Sequence, residues 1–394
     1  MAADGADACF DLAASCCRWP AARDGAIADT ARAVTDWPRA LRLLRRHRIE
    51  ALAYAALTAT AADVPPDVVA TLRGRAQDIA RDNLAAAAEG GRLQTLLDGA
   101  GIRSLHLKGM ALAQLAYDSL ALKFSQDIDL LVRPQDAAAA IRALESDGYR
   151  LVQPTPPLDA RQLGLVLRYG REVALRRAGG GRQVELRWQA VRSPSLLRGV
   201  DAQSAVQDVY VSGAAQLRTL NDDDLFAYLC VHGAGHGWSR LQWLADLNAW
   251  LARQDDASLR RCYRHAEAIG AGICAAMAVL LCRRVFDRTM PADIARAAEA
   301  NPAARWAAAL SLRDMSRDGD ANDARRFGST RIVVMQLLLG TGIRHYSDLA
   351  RELAFGLDDM LAVPLPRPLH LVYPLARLPL WLWRKMALAP KRSA

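Results

Sequence analysis

Two aspartates and a glutamate carry the clearest chemical signal in this 394-residue chain. The aspartates lie in Gln126-Asp127-Ile128-Asp129-Leu130-Leu131-Val132. The run predicts a strand, in which successive side chains point to opposite faces. Asp127 and Asp129 then project side by side, and Ile128, Leu130 and Val132 bury the other face. Two carboxylates this close repel each other, and a divalent cation between them would relieve the repulsion. Mg2+ binds through one or two carboxylates together with substrate phosphates. The alternative is a solvated acidic pair on an exposed strand face. In Val184-Glu185-Leu186-Arg187-Trp188, the apolar residues form a buried face while Glu185 and Arg187 point the other way. If this strand runs near the first, three carboxylates share one sheet face, which suits two-metal phosphoryl transfer. Taken alone, Glu185 reads as readily as a surface strand residue.

Lys108-Gly109 adds a third feature, with Gly109 placed 18 residues before Asp127. Glycine lets the backbone approach a ligand, and a helix start offers free N–H groups to phosphate. Lys108 and Lys123 would supply positive charge to a triphosphate. His232 and His236 are four residues apart and share one helix face. Their spacing matches a zinc-protease helix, but Gly233 stands where the general-base glutamate would be. Trp238, Trp243 and Trp250 read as core residues rather than a base-stacking platform.

The elements that must hold these residues follow from periodicity and punctuation. Residues 10–83 read as helices. Residues 40–57 show helical spacing, with Arg45, Arg46, His47 and Arg48 forming a solvated basic face; RNA contact is the other reading. A helix stops at Gly99 and Gly101, and residues 102–107 alternate as a strand. A short helix over 110–117 follows, then the aspartate strand and a helix over 136–148. Strands over 172–177 and 182–190 are joined by Gly179, Gly180 and Gly181, which read as a hairpin turn rather than a phosphate loop. From Asn221 the pattern is helical. Asp222 to Asp224 there fit the first turn of a helix, not a metal site.

Composition bounds the rest. Apolar residues make up 52% of the chain, enough for a large core, and the net charge of 51 − 42 = +9 favours anionic partners. The longest uncharged apolar run, residues 268–282, is too short to span a bilayer. The first 16 residues carry Asp4, Asp7 and Asp11 and no early Lys or Arg, which is unlike a secretory signal. Seven cysteines without a C-x-x-C pair predict reduced thiols in a cytosolic protein. The tail Leu378-Pro379-Leu380-Trp381-Leu382-Trp383-Arg384-Lys385 sets aromatics beside cations. It is expected to dock on the protein's own helices, with peripheral membrane contact as the alternative.

Strand, glycine, helix, D-x-D strand and a later acidic strand together resemble the DNA polymerase beta-like nucleotidyltransferase superfamily. More closely, Leu107-Lys108-Gly109, the segment from Lys123 to Val132 and Val184-Glu185-Leu186-Arg187-Trp188 are similar to an uncharacterised bacterial nucleotidyltransferase family. Its helical half is resembled by Cys230-Val231-His232, His236-Gly237-Trp238, Leu241 to Trp243 and Asp246-Leu247, and its start by Arg46-His47-Arg48-Ile49. Departures are Met110 after Gly109, where a second Gly or a Ser is usual, Lys123 for Arg, Gln126 for Gly and Arg187 for His.

The resemblance implies an α+β fold with a small mixed-sheet core at 86–215. Helical regions would flank it at 1–85 and 216–330, with a helical segment and Pro-rich basic tail at 331–394. It implies cytoplasmic transfer of a nucleoside monophosphate from an NTP, with ATP the expected donor. Asp127 and Asp129 would hold two Mg2+ or Mn2+ ions, and Glu185 would complete one site and take the acceptor's proton. Lys108, Gly109 and Lys123 would hold the triphosphate, and His232 and His236 would line the cleft. The acceptor stays open among small molecule, peptide, protein and RNA. A degenerate, noncatalytic nucleotide-binding or scaffold protein is the second reading.

Overall fold

The computed structural model describes residues 7–20, 25–211, 213, 215–317 and 334–377. The chain is α+β, with a mixed seven-stranded sheet preceded and followed by helices among the described residues. The strands are β1 (Leu105–His106), β2 (Asp127–Leu131), β3 (Tyr149–Gln153), β4 (Glu172–Arg177), β5 (Gln183–Arg187), β6 (Val206–Val211) and β7 (Ala215–Leu220). Their order is β3-β4-β5-β2-β1-β7-β6. β2 pairs with β5 in parallel, as does β1 with β7, and the other neighbours are antiparallel. The three glycines at 179–181 all have positive φ and close the β4–β5 hairpin, as their sequence predicts.

Alternation in β2 and β5 decides which face is which. Ile128, Leu130, Val132, Val184, Leu186 and Trp188 pack against Leu93 and Leu97 of the helix Pro66–Gly99 and Ile141 and Leu144 of the helix Ala137–Ser146. The long helix stops where its glycines require. Gly101 takes φ +71°, and Ile102 N–H returns to the Leu97 carbonyl at 2.9 Å. Beyond the sheet, Asn221 caps the helix Asp222–Gly235 by accepting from the Asp224 N–H at 3.0 Å, with three aspartates in its first turn. This helix and Leu241–Leu251 bring their side chains over the opposite face, beside the aspartates. The apolar run at 268–282 falls largely in the buried helix Gly272–Phe286, and no helix among the described residues is long and apolar enough to cross a membrane. All seven cysteines are buried and none is disulfide-bonded. The tail at 378–385 lies outside the described residues.

Some expected elements take a different form. The helix expected over 40–57 breaks at Arg48, which adopts φ 58°, giving Trp37–His47 and Glu50–Ala59. The turn buries both His47 and Ile49, which a single straight helix would point to different sides. The strand expected over 102–107 shortens to β1. Its alternation misled because Ser104, Leu105, His106 and Leu107 are all buried, β1 being held between β2 and β7 with no solvent face. The strand over 182–190 ends at Arg187, and β3, β6, β7 and the helix Ala160–Tyr169 were not foreseen.

Candidate active site

β2 and β5 pair in a register that sets Asp129 opposite Glu185. Asp127, two residues earlier on the same face, completes a triangle. One carboxylate oxygen from each of the three lies within 4.8 Å of the others. All three ligands are hard oxygens, the donor type that suits Mg2+ or Mn2+.

The three acids differ in electrostatics. Burial alone would raise the Asp129 carboxyl, but Lys108 and Arg187 hold it below the usual carboxylate range. Lys108 Nζ lies 3.2 Å from Asp129 Oδ2, and Arg187 Nε lies 3.1 Å from Oδ1. Burial and the Asp129 charge push Asp127 up, and they push Glu185 up to about 7. Near neutral pH the cluster therefore holds one firm anion and one carboxyl close to half protonation, an arrangement that a cation would convert to three ligands. Burial disfavours the Lys108 ammonium most, yet the charge of Asp129, with smaller contributions that include Asp127, together outweighs it and keeps Lys108 charged.

Lys108 leads into Gly109, whose φ of 69° and ψ of −130° suit glycine. The helix Met110–Tyr117 starts there and leaves free N–H groups at that end. Lys108, Gly109, Ser125, Asp127, Glu185 and His232 line one cavity of about 250 Å3. Lys108, Gly109 and, from the first turn of the helix, Leu112 thus border the same space as Asp127, whereas Met110 itself is buried. A second, larger cleft of about 940 Å3 opens beside it, and Glu185 lines both.

Other expected residues reach the cavity in different roles. Lys123 lines it, but its ammonium is spent on Asp246 Oδ2 at 2.6 Å, and both side chains are buried. Tyr117 donates to the other Asp246 oxygen at 3.0 Å. His232 and His236 line the cavity with ring centroids 4.8 Å apart, and among the described residues no third ligand joins them. Burial and the Lys108 charge hold the His232 imidazole well below its usual pKa, so it is neutral. Trp238 and Trp250 are core, whereas Trp243 is half-buried and lines the cavity beside His236.

Sequence reasoning missed several residues here. Arg48, read as part of a solvated basic face, donates to Gln126 Oε1 at 2.8 Å, stacks over Phe124 and lines the cavity. Its αL break was the missing signal. Glu172 comes from the strand β4, paired with β5, and meets Arg187. Ser125 holds its hydroxyl near Gly109 and donates to the Asp127 carbonyl at 3.1 Å.

A family model described as an uncharacterised nucleotidyltransferase matches residues 33–287. The chain belongs to that family. The match contains the whole sheet, the carboxylate cluster and both histidines. Membership implies a transferase with a nucleoside triphosphate as substrate. No curated protein matches the chain.

Proposed function

We infer that this nucleotidyltransferase moves a nucleoside monophosphate from an NTP, with ATP as donor, to an acceptor nucleophile, releasing pyrophosphate, on a core of the DNA polymerase beta-like type. The observation that carries this reading is the triangle of Asp127, Asp129 and Glu185 on two paired strands, beside Lys108-Gly109 and a helix start. A divalent cation held by the three carboxylates would polarise the α-phosphate and acidify the acceptor. Lys108 and the backbone N–H groups after Gly109 would hold the triphosphate, joined by Arg48 across the cavity. Glu185 would take the acceptor's proton, since it lines both the small cavity and the larger cleft. The acceptor would then enter through the larger cleft. Part of that wall comes from the helix Gly342–Ala354, which lies beyond the family match. Acceptor choice is thus assigned to a segment outside the family's shared span.

Met110 brings no hydroxyl to the phosphate loop, the feature that favours a noncatalytic reading. Ser125 Oγ answers it. It lies 3.9 Å from the point where a side chain on Gly109 would begin, in the same cavity. The test is incubation of the protein with Mg2+, host lysate and NTPs labelled at the α- or the γ-phosphate. Label should pass to an acceptor from the α position only, and EDTA should stop it. NTP binding without Mg2+ dependence, and with no transfer, would install the noncatalytic reading instead.

A further inference from the structure

Arg187 sits among the carboxylates of the candidate site. It lies on β5 two residues after Glu185, on the same face, and the pairing sets it opposite Leu131 of β2 and Glu172 of β4. Its guanidinium reaches carboxylates on three adjacent strands. Nε lies 3.1 Å from Asp129 Oδ1, one terminal nitrogen 2.5 Å from Glu172 Oε2, and the other pairs with Glu185 Oε2. The Arg187 side chain is 13% exposed, and Asp129 is almost wholly buried. A planar fork with fixed donors fills such a position better than a point charge would.

We propose that the Arg187 guanidinium takes the place of one divalent cation, so that the cluster itself takes up one ion where the three carboxylates alone would take two. The inference rests on the cation-binding reading given above. Two ions in a shared site stand roughly 3.5–4 Å apart and need a carboxylate between them. Asp129 pairs across the strands with Glu185, and both its oxygens already face fixed cations, Lys108 on one side and Arg187 on the other. Asp127 makes no ion pair among the described residues, so it marks the side left for an ion. The charges agree. Asp127, Asp129, Glu172 and Glu185 contribute four negative charges when ionised, Lys108 and Arg187 contribute two positive, and one divalent ion closes the balance. The D-x-D pattern by itself suits two ions, and Arg187 removes one of them.

Mn2+ alone, titrated into the full chain and followed by electron paramagnetic resonance, separates the outcomes without any activity assay. Wild type should show the six-line spectrum of an isolated Mn2+ at one equivalent. Arg187→Gln and Arg187→His should each gain a second equivalent and the broadened spectrum of a spin-coupled pair. A coupled pair in wild type overturns the inference whether or not the variants fold, while leaving the cation site intact. Equal stoichiometry in wild type and folded variants does the same. No protein-bound Mn2+ in any form overturns the cation reading and this inference together.

Discussion

Asp127 and Asp129 stand two residues apart on one strand, yet the site treats their charges in opposite ways. Burial and the neighbouring Asp129 charge raise Asp127, so the fold disfavours its ionised form. Lys108 and Arg187 overcome burial at Asp129 and lower it, so the fold depends on its charge. Asparagine substitutions should therefore diverge. Asp127→Asn should leave the melting temperature unchanged or raise it by about a degree or two, because a repulsion is removed. Asp129→Asn should cost about 3–5 kcal/mol, because two buried cations lose their shared partner. Both changes should abolish nucleotidyl transfer. Thermal melts and α-labelled NTP assays on the two variants check this. A large loss of stability in Asp127→Asn would make that residue structural rather than catalytic.

The loop between the helix Met110–Tyr117 and β2 carries Phe124, Ser125 and Gln126 into the cavity, and it is pinned from three sides. Asn83 donates to the Leu120 and Lys123 carbonyls, both at 2.6 Å, Gln242 donates to the Phe124 carbonyl, and Lys123 is paired with Asp246. Removing one member of that buried pair should cost about 3–5 kcal/mol, so Lys123→Met should melt well below wild type. Lys123→Met with Asp246→Asn should recover most of the loss, since the amide oxygen still accepts from Tyr117. Urea unfolding of the single and double variants decides it, and no recovery in the double variant would mean that Lys123 acts through something other than this pair. These contacts also show what the sequence could and could not reveal. Alternation over 126–132 set Asp127 and Asp129 on one face of their strand, and alternation over 184–188 set Glu185 opposite the apolar face of its own, because a period of two survives wherever one strand face packs on apolar helices; the pairing of the two strands that joins the three carries no local signal. The D-x-D block and Lys108-Gly109 were legible for the same local reason. The Lys123–Asp246 pair spans 123 residues, and no local pattern announces it. β1 was legible as a strand but not in its extent, because both its faces are buried, and the wall of the larger cleft hid because it assembles distant segments, β4 with the helices Gly342–Ala354 and Leu357–Ala362.

At the scale of the molecule, His47 joins three distant parts of the chain near the cavity. It ends the helix Trp37–His47 and is fully buried. Its Nδ1 accepts the Leu241 N–H at 3.1 Å, at the start of the helix that carries Trp243 and Asp246. Its Nε2 donates to the Met315 carbonyl at 3.1 Å, at the end of the helix Pro302–Met315. Arg46 reinforces the joint by donating to the Asp314 and Met315 carbonyls at 3.0 and 3.1 Å. With one ring nitrogen accepting, the imidazole must stay neutral, and burial together with the Arg46 charge lowers its pKa to about 3. An unfolded chain takes up this proton near the ordinary value of about 6.5. The unfolded state therefore binds more protons than the folded state between about 6.5 and 3, and the stability that neutral His47 supports is complete above that window and lost as pH falls through it. His47→Gln cannot titrate. It should be less stable than wild type at pH 7, with a pH slope between 6 and 4 shallower by up to about 1.4 kcal/mol per unit, the value of one proton. Histidines elsewhere titrate alike in both forms and cancel in the difference. Urea unfolding at pH 7, 6, 5 and 4 measures it. Parallel slopes would show that His47 takes its proton in the folded state, and the joint between the N-terminal helices and the cavity wall would then be open enough to admit water.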